Sequence, residues 1–268
     1  MWAIVPVKQF HLAKQRLAPG LSQGERSDLF RAMVADVLDC LQRTSGIARI
    51  LVVTREAAAR SLAHDAGASV LEEADSDLVA AITQAARAAA AQGASGVVIV
   101  PGDLPLIDPN DLQAVLSAHS ASLRAASRRA AGVSAGGTAN EAEKERADGV
   151  ADGTAGGEER AVTLVSDAQG VGTNCLACTP AQIIPFRFGP TSCADHLRAA
   201  REAGVTPTLL QRPGLALDID TPADLAEFTA RGHRGHAVAF LEASGIASRL
   251  RAQAATAGAG AISPMDGA

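Results

Sequence analysis

The sequence predicts the α/β class, as one domain built on a largely parallel sheet. Two observations carry this. Short apolar runs alternate with stretches of helical periodicity over most of the 268 residues, and the runs are apolar on both faces, as strands covered by helices on either side must be. Hydrophobic residues make up 47% and charged residues 20%, enough apolar side chain for a buried core and too much for a disordered chain.

Trp2 to Val7 reads as a first, buried strand. Ser22 with Glu25 three residues on forms a capping box, and Leu29, Met33, Val37 and Leu41 then recur at four-residue spacing as the buried stripe of a helix. Ile50 to Val53 is a second strand, followed by a helix ending near Gly67 and a short third strand over Ser69 to Leu71. An Ala-rich helix over 77–92 leads into a fourth strand, Gly96 to Pro101, and Asp108-Pro109 supplies the N-cap and first-turn proline of another helix. In such a sheet ligands sit beyond the carboxyl ends of the strands, so the loops after them are where function is sought.

The composition then changes. Residues 121–160 are Ala, Gly and charged stretches whose only large aliphatics are Leu123, Val133 and Val150, too little apolar surface to offset ordering entropy, which predicts a disordered insertion. The expected organisation is a domain over 1–235 interrupted by 121–160, a C-terminal helix over 236–252 and a disordered tail over 253–268. With 24 basic and 29 acidic residues the net charge is -5, and aromatics are 3%, which argues against nucleic acid as a partner. MWAIVPVK is too short an apolar run for a signal peptide and no stretch approaches a membrane span, so a soluble cytoplasmic protein is expected.

Four segments carry candidate chemistry. The stretch after the first strand holds Lys8, Lys14 and Arg16 with no acidic residue before Glu25, a local positive field suited to a triphosphate, although a solvated basic loop would look the same. It contains neither a dinucleotide fingerprint nor a Walker loop. In P-G-D-L-P-L (101–106), Asp103 directly follows an apolar run, where a carboxylate projects into the crevice or simply forms a turn. In L-D-I-D-T-P (217–222), a strand over Leu215 to Ile219 would put Asp218 and Asp220 on one face, where two carboxylates call for a cation and their hard oxygens suit Mg²⁺. Pairing either with Asp103 requires the two loops to be neighbours in space. The fourth segment, 170–196, lacks acidic residues between Asp167 and Asp195 and places Gly189 and Ser192 before a helix start, a ready phosphate site or, more plainly, a Ser192–Asp195 capping pair. It also holds Cys175-x2-Cys178 and Cys193-x2-His196, a spacing that would pass for a zinc site, while buried packing is the simpler role for these cysteines and for Cys40.

With these pieces in order, the sequence resembles the guanylyltransferases of deazaflavin coenzyme F-420 biosynthesis. The resemblance rests on VPVK-x5-AK-x-RL (Val5 to Leu17), PGDLPL, GTN-x-L, FGP-x-S with its downstream His196, and LDIDTPADL, spanning residues 2 to about 228. It implies a Rossmann-like nucleotidyltransferase domain with a mostly parallel mixed sheet, similar to molybdenum-cofactor guanylyltransferases. It further implies transfer of GMP from GTP to a small phosphorylated three-carbon acid, with pyrophosphate released. By resemblance the nucleotide-loop roles fall on Lys8, Lys14 and Arg16, the Mg²⁺ carboxylates are Asp103 and Asp218 with Asp220, the catalytic set is Asp103, Asp218 and Lys14, and the acid's phosphate is met by Thr173, Gly189 and Ser192. Gln15 stands where a small residue is usual, and Thr191 and Cys193 replace an expected Gly and Phe. The charges fit this independently: a phosphomonoester, with a second pKa near ~6, is an anion at neutral pH and attacks phosphorus without a general base. Other readings are another nucleotidyltransferase, such as one acting on a molybdopterin, a non-catalytic nucleotide-binding protein, and a zinc-dependent binding module.

Overall fold

A computed structural model describes residues 1–74, 77–135 and 159–259. Strands β1 (Trp2–Pro6), β2 (Arg49–Val53), β3 (Ser69–Leu71), β4 (Val97–Ile99), β5 (Ala161–Ser166), β6 (Thr173–Thr179) and β7 (Thr208–Leu210) form one seven-stranded sheet in the order β3-β2-β1-β4-β6-β5-β7. β1 runs parallel to β2 and β4, β2 to β3, and β5 to β7, while β6 is antiparallel to both its neighbours. The sheet is therefore mixed and mostly parallel. The chain builds outward from β1 to β3 and then returns to β1's other side with β4, so a crevice opens beyond the carboxyl ends of β1 and β4.

The period of two in the strands sorts the core into two layers. Ala3, Val5, Val98 and Val100 face one side, where they meet α1 (Gln23–Arg43), α2 (Ala57–Asp65) and α4 (Pro109–Ala135). Trp2, Ile4, Val97 and Ile99 face the other, against α3 (Leu78–Ala91) and α5 (Ser192–Glu202). α1 begins as its sequence predicts: Ser22 Oγ accepts from Glu25 N at 3.3 Å, Glu25 Oε2 accepts from Ser22 N at 2.8 Å, and Leu29, Met33, Val37 and Leu41 are buried.

Three boundaries differ from expectation. α4 continues to Ala135 rather than stopping near 120, so the first part of the 121–160 segment is helix, and Ser122 Oγ lies 2.9 Å from Thr208 Oγ1 of β7. Low apolar content limits burial, but an Ala-rich stretch added to an existing helix needs no new nucleus and propagates on propensity. The remainder of the expected insertion, 136–158, lies outside the described residues. After a helical turn α6 (Pro213–Ala216) and helix α7 (Pro222–Ala230), the C-terminal segment forms two helices, α8 (His236–Ala243) and α9 (Ile246–Ala259), instead of one. The break is at Gly245, whose φ of 72° only glycine adopts without strain. α9 takes in the start of the expected tail, and 260–268 lie outside the described residues.

α8 is anchored by a side chain distant in sequence. Asp36 of α1 accepts from His236 N at 2.5 Å and Ala237 N at 2.9 Å, satisfying two of the free N–H groups at the start of α8. Burial pushes the Asp36 carboxyl above its usual range, and these backbone donors and the nearby His236 and His233 oppose the shift. Asp36→Ala is expected to cost about 1–3 kcal/mol, because both donors lose their partner in a largely buried setting. A urea melt checks this, and an unchanged midpoint would show that α8 docks on its apolar contacts alone.

Candidate active site

The segment after β1 is a folded loop. Two 3-10 turns, Phe10–Leu12 and Gln15–Leu17, follow the strand, and Phe10 packs edge-on against Phe30 of α1 with ring centroids 5.5 Å apart. Between the turns Lys14 takes a left-handed backbone conformation, φ 55° and ψ 39°, unusual for a residue with a side chain. Its Nζ donates to Asp103 Oδ2 at 2.7 Å and to Asp220 Oδ1 at 2.8 Å, and it lies 5.7 Å from the Phe30 ring centroid. Only 4% of the side chain is exposed. The basic loop is thus not a uniformly solvated surface: Lys8 and Arg16 are exposed, but Lys14 is an internal cation.

Asp103 reaches this point because the Pro101–Asp103 corner lies close against α1. A Cβ on Gly102 would come within 2.9 Å of Val34 Cγ2, so only glycine fits there. Ile219 N donates to Asp103 O at 3.2 Å, which stitches the 101–106 loop to the 217–222 loop. That is the adjacency on which pairing their aspartates depends.

The expected strand over 215–219 is absent. Gly214 N donates to Asp111 Oδ2 at 2.8 Å, and a Cβ on Gly214 would lie 2.7 Å from Leu106 O, so Pro213–Ala216 is held as the helical turn α6 against the start of α4. Leu217 to Asp220 then run irregularly, and the two carboxylates take different partners instead of sharing a strand face. Asp218 Oδ1 accepts from Asn174 Nδ2 at 3.3 Å. Burial, the neighbouring Asp103 charge and, more weakly, Asp220 lift the Asp218 carboxyl above its ordinary range. Asp220 moves the other way: burial raises it, but Lys14 and then Arg16, whose Nη1 is 3.8 Å from Asp220 Oδ2, hold it below the usual value.

Segment 170–196 forms the adjoining wall. Asp167 accepts from Val171 N at 2.9 Å and Gly172 N at 2.8 Å, closing a tight loop after β5. Where β5 pairs with β6, Val165 faces Cys175 and Ser166 faces Thr173, leaving Asn174 as an extra residue. This bulge re-aims two side chains: Asn174 reaches Asp218, and Thr173 Oγ1 lies 3.1 Å from His196 Nδ1 of α5. Ser192 is buried as the first residue of α5 and its N–H donates to Gly189 O at 3.1 Å, while Cys193 N donates to Val171 O at 3.0 Å. Thr173, Gly189 and Ser192 are thereby brought to one place. The expected Ser192–Asp195 capping pair does not form, since Asp195 accepts from Thr191 Oγ1 at 2.8 Å and pairs with Arg198.

The zinc reading fails on strand geometry. Cys175 and Cys178 are three apart on β6, so their thiols lie in the two different core layers, and burial pushes Cys175 up to about 12. Both ring nitrogens of His196 are already engaged. Among the described residues, no three His, Cys, Asp or Glu side chains gather as ligands around one point. Lys14 Nζ contacts both Asp103 and Asp220. Asp103 and Asp218 remain as a pair of hard-oxygen donors whose mutual repulsion a divalent cation would relieve.

Beside the carboxylates lies a cleft of about 530 Å³ whose walls include Lys8, Lys14, Arg55, Pro101, Asp103 and Phe188. Sequence reasoning missed Arg55, which bonds Glu73 O at 2.6 Å, as well as Phe30 beneath Lys14. It also missed Asn174, although GTN was recognised as a motif, because its reach to Asp218 depends on a bulge that no local pattern announces.

The sequence model described as "Guanylyl transferase CofC like" matches residues 1–139 and 155–257. The chain belongs to this guanylyltransferase family. It is 34% identical over 225 residues to the phosphoenolpyruvate guanylyltransferase of Conexibacter woesei, covering 84% of this chain and 85% of that one. To the 3-phospho-D-glycerate guanylyltransferase of Phenylobacterium zucineum it is 34% identical over 260 residues (94% and 99%), and to the 2-phospho-L-lactate guanylyltransferase of Methanothermobacter thermautotrophicus 31% over 240 residues (89% and 88%). Among solved structures, one described as a nucleotide-diphospho-sugar transferase from Desulfovibrio desulfuricans shares the fold with a TM-score of 0.65 at 16% identity, over 92% of this chain and 96% of that one. The expected α/β nucleotidyltransferase fold and guanylyltransferase class are both borne out. No helix of the described residues is long and apolar enough to cross a membrane.

Proposed function

We propose that this guanylyltransferase transfers GMP from GTP to a small phosphorylated three-carbon acid, phosphoenolpyruvate or 3-phospho-D-glycerate before 2-phospho-L-lactate, in cytoplasmic F-420 biosynthesis. The observation that carries the reading is the meeting of Asp103 and Asp220 on Lys14, with Asp218 close to Asp103, beside the cleft that Lys8, Lys14 and Arg55 line. The names of the relatives support the acid class.

In this reading the triphosphate lies in the cleft along Lys8 and Lys14, with Arg16 reaching it from outside the lining on the Asp220 side, and the acid's phosphate is received by Thr173, Gly189 and Ser192. Asp103 and Asp218, with Asp220 behind them, hold Mg²⁺, which when bound neutralises triphosphate charge. An anionic oxygen of the acid's phosphate attacks the α-phosphorus of GTP, a new P–O bond forms, the bond to the β-phosphate bridge breaks, and pyrophosphate leaves with the electron pair. The protein's own work is to hold two anions together in line and to shield one from the other. Lys14 can do this throughout the neutral range. Burial alone would push its ammonium down, but Asp103 and Asp220 more than reverse that and keep it protonated.

Incubation with GTP, Mg²⁺ and each of the three acids, with mass detection of the guanosine diphospho-acid, tests the proposal. At least one acid should give product together with pyrophosphate, and failure of all three would overturn the substrate class. Ser192→Ala should raise KM for the acid about tenfold to a hundredfold, the loss of one charge-assisted hydrogen bond, and leave KM for GTP nearly unchanged. Because Ser192 does not cap α5, its melting midpoint should hardly move. A lowered melt with an unchanged acid KM would make Ser192 a packing residue.

A further inference from the structure

The histidine that failed as a zinc ligand has a geometry that packing alone does not require. His196 is fully buried in α5, and its ring stacks edge-on against Phe188, a wall of the cleft, with centroids 5.0 Å apart. Arg187 N donates to Nε2 at 2.9 Å. A backbone N–H can only donate, so Nε2 carries no proton, the ring is neutral, and its one hydrogen sits on Nδ1. Burial, which pushes His196 down to about 4, keeps it so at neutral pH. The contact of 3.1 Å between Nδ1 and Thr173 Oγ1 then has a fixed direction: the ring donates and the hydroxyl accepts. Thr173 must therefore turn its own hydrogen away from the ring.

We propose that His196 is a positioning residue which, gripped by Arg187 N on one side, orients the Thr173 hydroxyl as a donor to the phosphate of the acid substrate. This rests on the reading above that the acid's phosphate binds at Thr173 and Ser192. An unrestrained hydroxyl can rotate to accept or donate, and part of its binding strength is lost in choosing. One that accepts from an imidazole N–H cannot spend its own hydrogen on the ring, so that hydrogen is free for the donation an anion needs. The bulge at Asn174 contributes by aiming Thr173 at α5, and Gly189 and Ser192 arrive through the same helix start that carries His196.

The alternative is a histidine that merely struts β6 against α5, and two variants separate the cases. His196→Asn places an amide near the Nδ1 position and can still donate to Thr173. His196→Gln places it near Nε2, where it can accept from Arg187 N but not reach Thr173. KM for the acid should rise about fivefold to tenfold in His196→Gln, in line with one lost neutral hydrogen bond, and stay within about twofold of the parent in His196→Asn, with KM for GTP constant in both. In a Thr173→Val background, His196→Gln should add nothing further to the acid KM, because the two act through one hydroxyl. Multiplicative effects in that cycle, or a lowered melt with an unaltered acid KM, would overturn the proposal.

If neither histidine variant folds, the wild-type protein still decides. Long-range ¹⁵N–¹H spectra of histidine-labelled protein should show His196 protonated on Nδ1, with that resonance shifting on addition of phosphoenolpyruvate or 3-phospho-D-glycerate. The Nε2–H form, or a resonance indifferent to every acid that turns over, would refute it. A wild-type protein that guanylates none of the acids overturns the substrate reading and this inference together, whereas turnover with an indifferent His196 removes the inference alone.

Discussion

Asp103→Asn is expected to reduce pyrophosphate release at saturating GTP, acid and Mg²⁺ by at least about a hundredfold while the protein remains folded. The asparagine keeps the shape of the corner at 101–106 and one oxygen to accept from Lys14 Nζ, so the 2.7 Å contact can persist in weaker form. What disappears is the charge. Asp218 is lifted by burial and by the Asp103 carboxylate beside it, so removing that charge should let Asp218 ionise more readily while leaving a single full carboxylate in the pair. A neutral amide is a poor ligand for a divalent cation competing with a triphosphate. Turnover and melting should be measured on the same preparation, because Lys14 also loses half of its buried charge pairing. A modest drop in melting with near-complete loss of turnover is the expected pattern, and activity within a few-fold of the parent would take Asp103 out of the metal site.

The first four strands and the helices among them were readable because each has a local cause, whereas β5, β6 and β7 were not anticipated. Trp2 to Val5 and Val97 to Ile99 are apolar on both faces, and the Ser22 capping box and the Thr221-Pro222 start declare where helices begin. The loop chemistry was readable only as residue types. That Asp103, Asp218 and Lys14 converge depends on Ile219 N bonding Asp103 O, a contact between residues far apart in sequence. The antiparallel insertion of β6 between β4 and β5 is likewise a pairing choice, for which TNCLACT carries no signature distinct from that of a parallel strand. Where local reading failed, it failed by taking a local motif at face value. Leu215 to Ile219 has the composition of a strand but is overruled by Asp111 and Leu106 holding Gly214, and the cysteines have metal-like spacing but lie in opposite core layers.

Lys14 is where stability and the proposed catalysis would be most tightly joined. Lys14→Met keeps the bulk of the stem against Phe30 and removes the ammonium, leaving Asp103 without its ion-pair partner, Asp220 with only the longer Arg16 contact, and Asp218 beside both charges. Breaking a fully buried pair costs about 3–5 kcal/mol. Here Asp103 is 24% and Asp220 43% exposed, so solvent screens part of the repulsion and a loss of about 1–3 kcal/mol is the fitting expectation. The left-handed backbone at position 14 is no easier for Met than for Lys, so its strain is common to both proteins and leaves the difference to the lost ion pairs. The sign with pH follows from the shifts. The folded pKa of Lys14 lies above 10.5, so its contribution is complete below that value and fades as pH rises through the folded pKa. That of Asp220, whose pKa is lowered, is complete above 3.8 and fades as pH falls through its folded value. Between about pH 6 and 9 the stability gap between parent and variant should therefore be flat. Turnover should fall by about a hundredfold or more, since the cation that the proposed function sets against the triphosphate is gone. Added Mg²⁺ gives the sharpest readout: with the ammonium removed, the three carboxylates offer a cation site with no internal competitor, so the variant should gain more in melting temperature from Mg²⁺ than the parent does. Equal gains in the two proteins would show that Lys14 and the metal do not share a place, and an unchanged kcat/KM for GTP would show that the ammonium serves the fold alone.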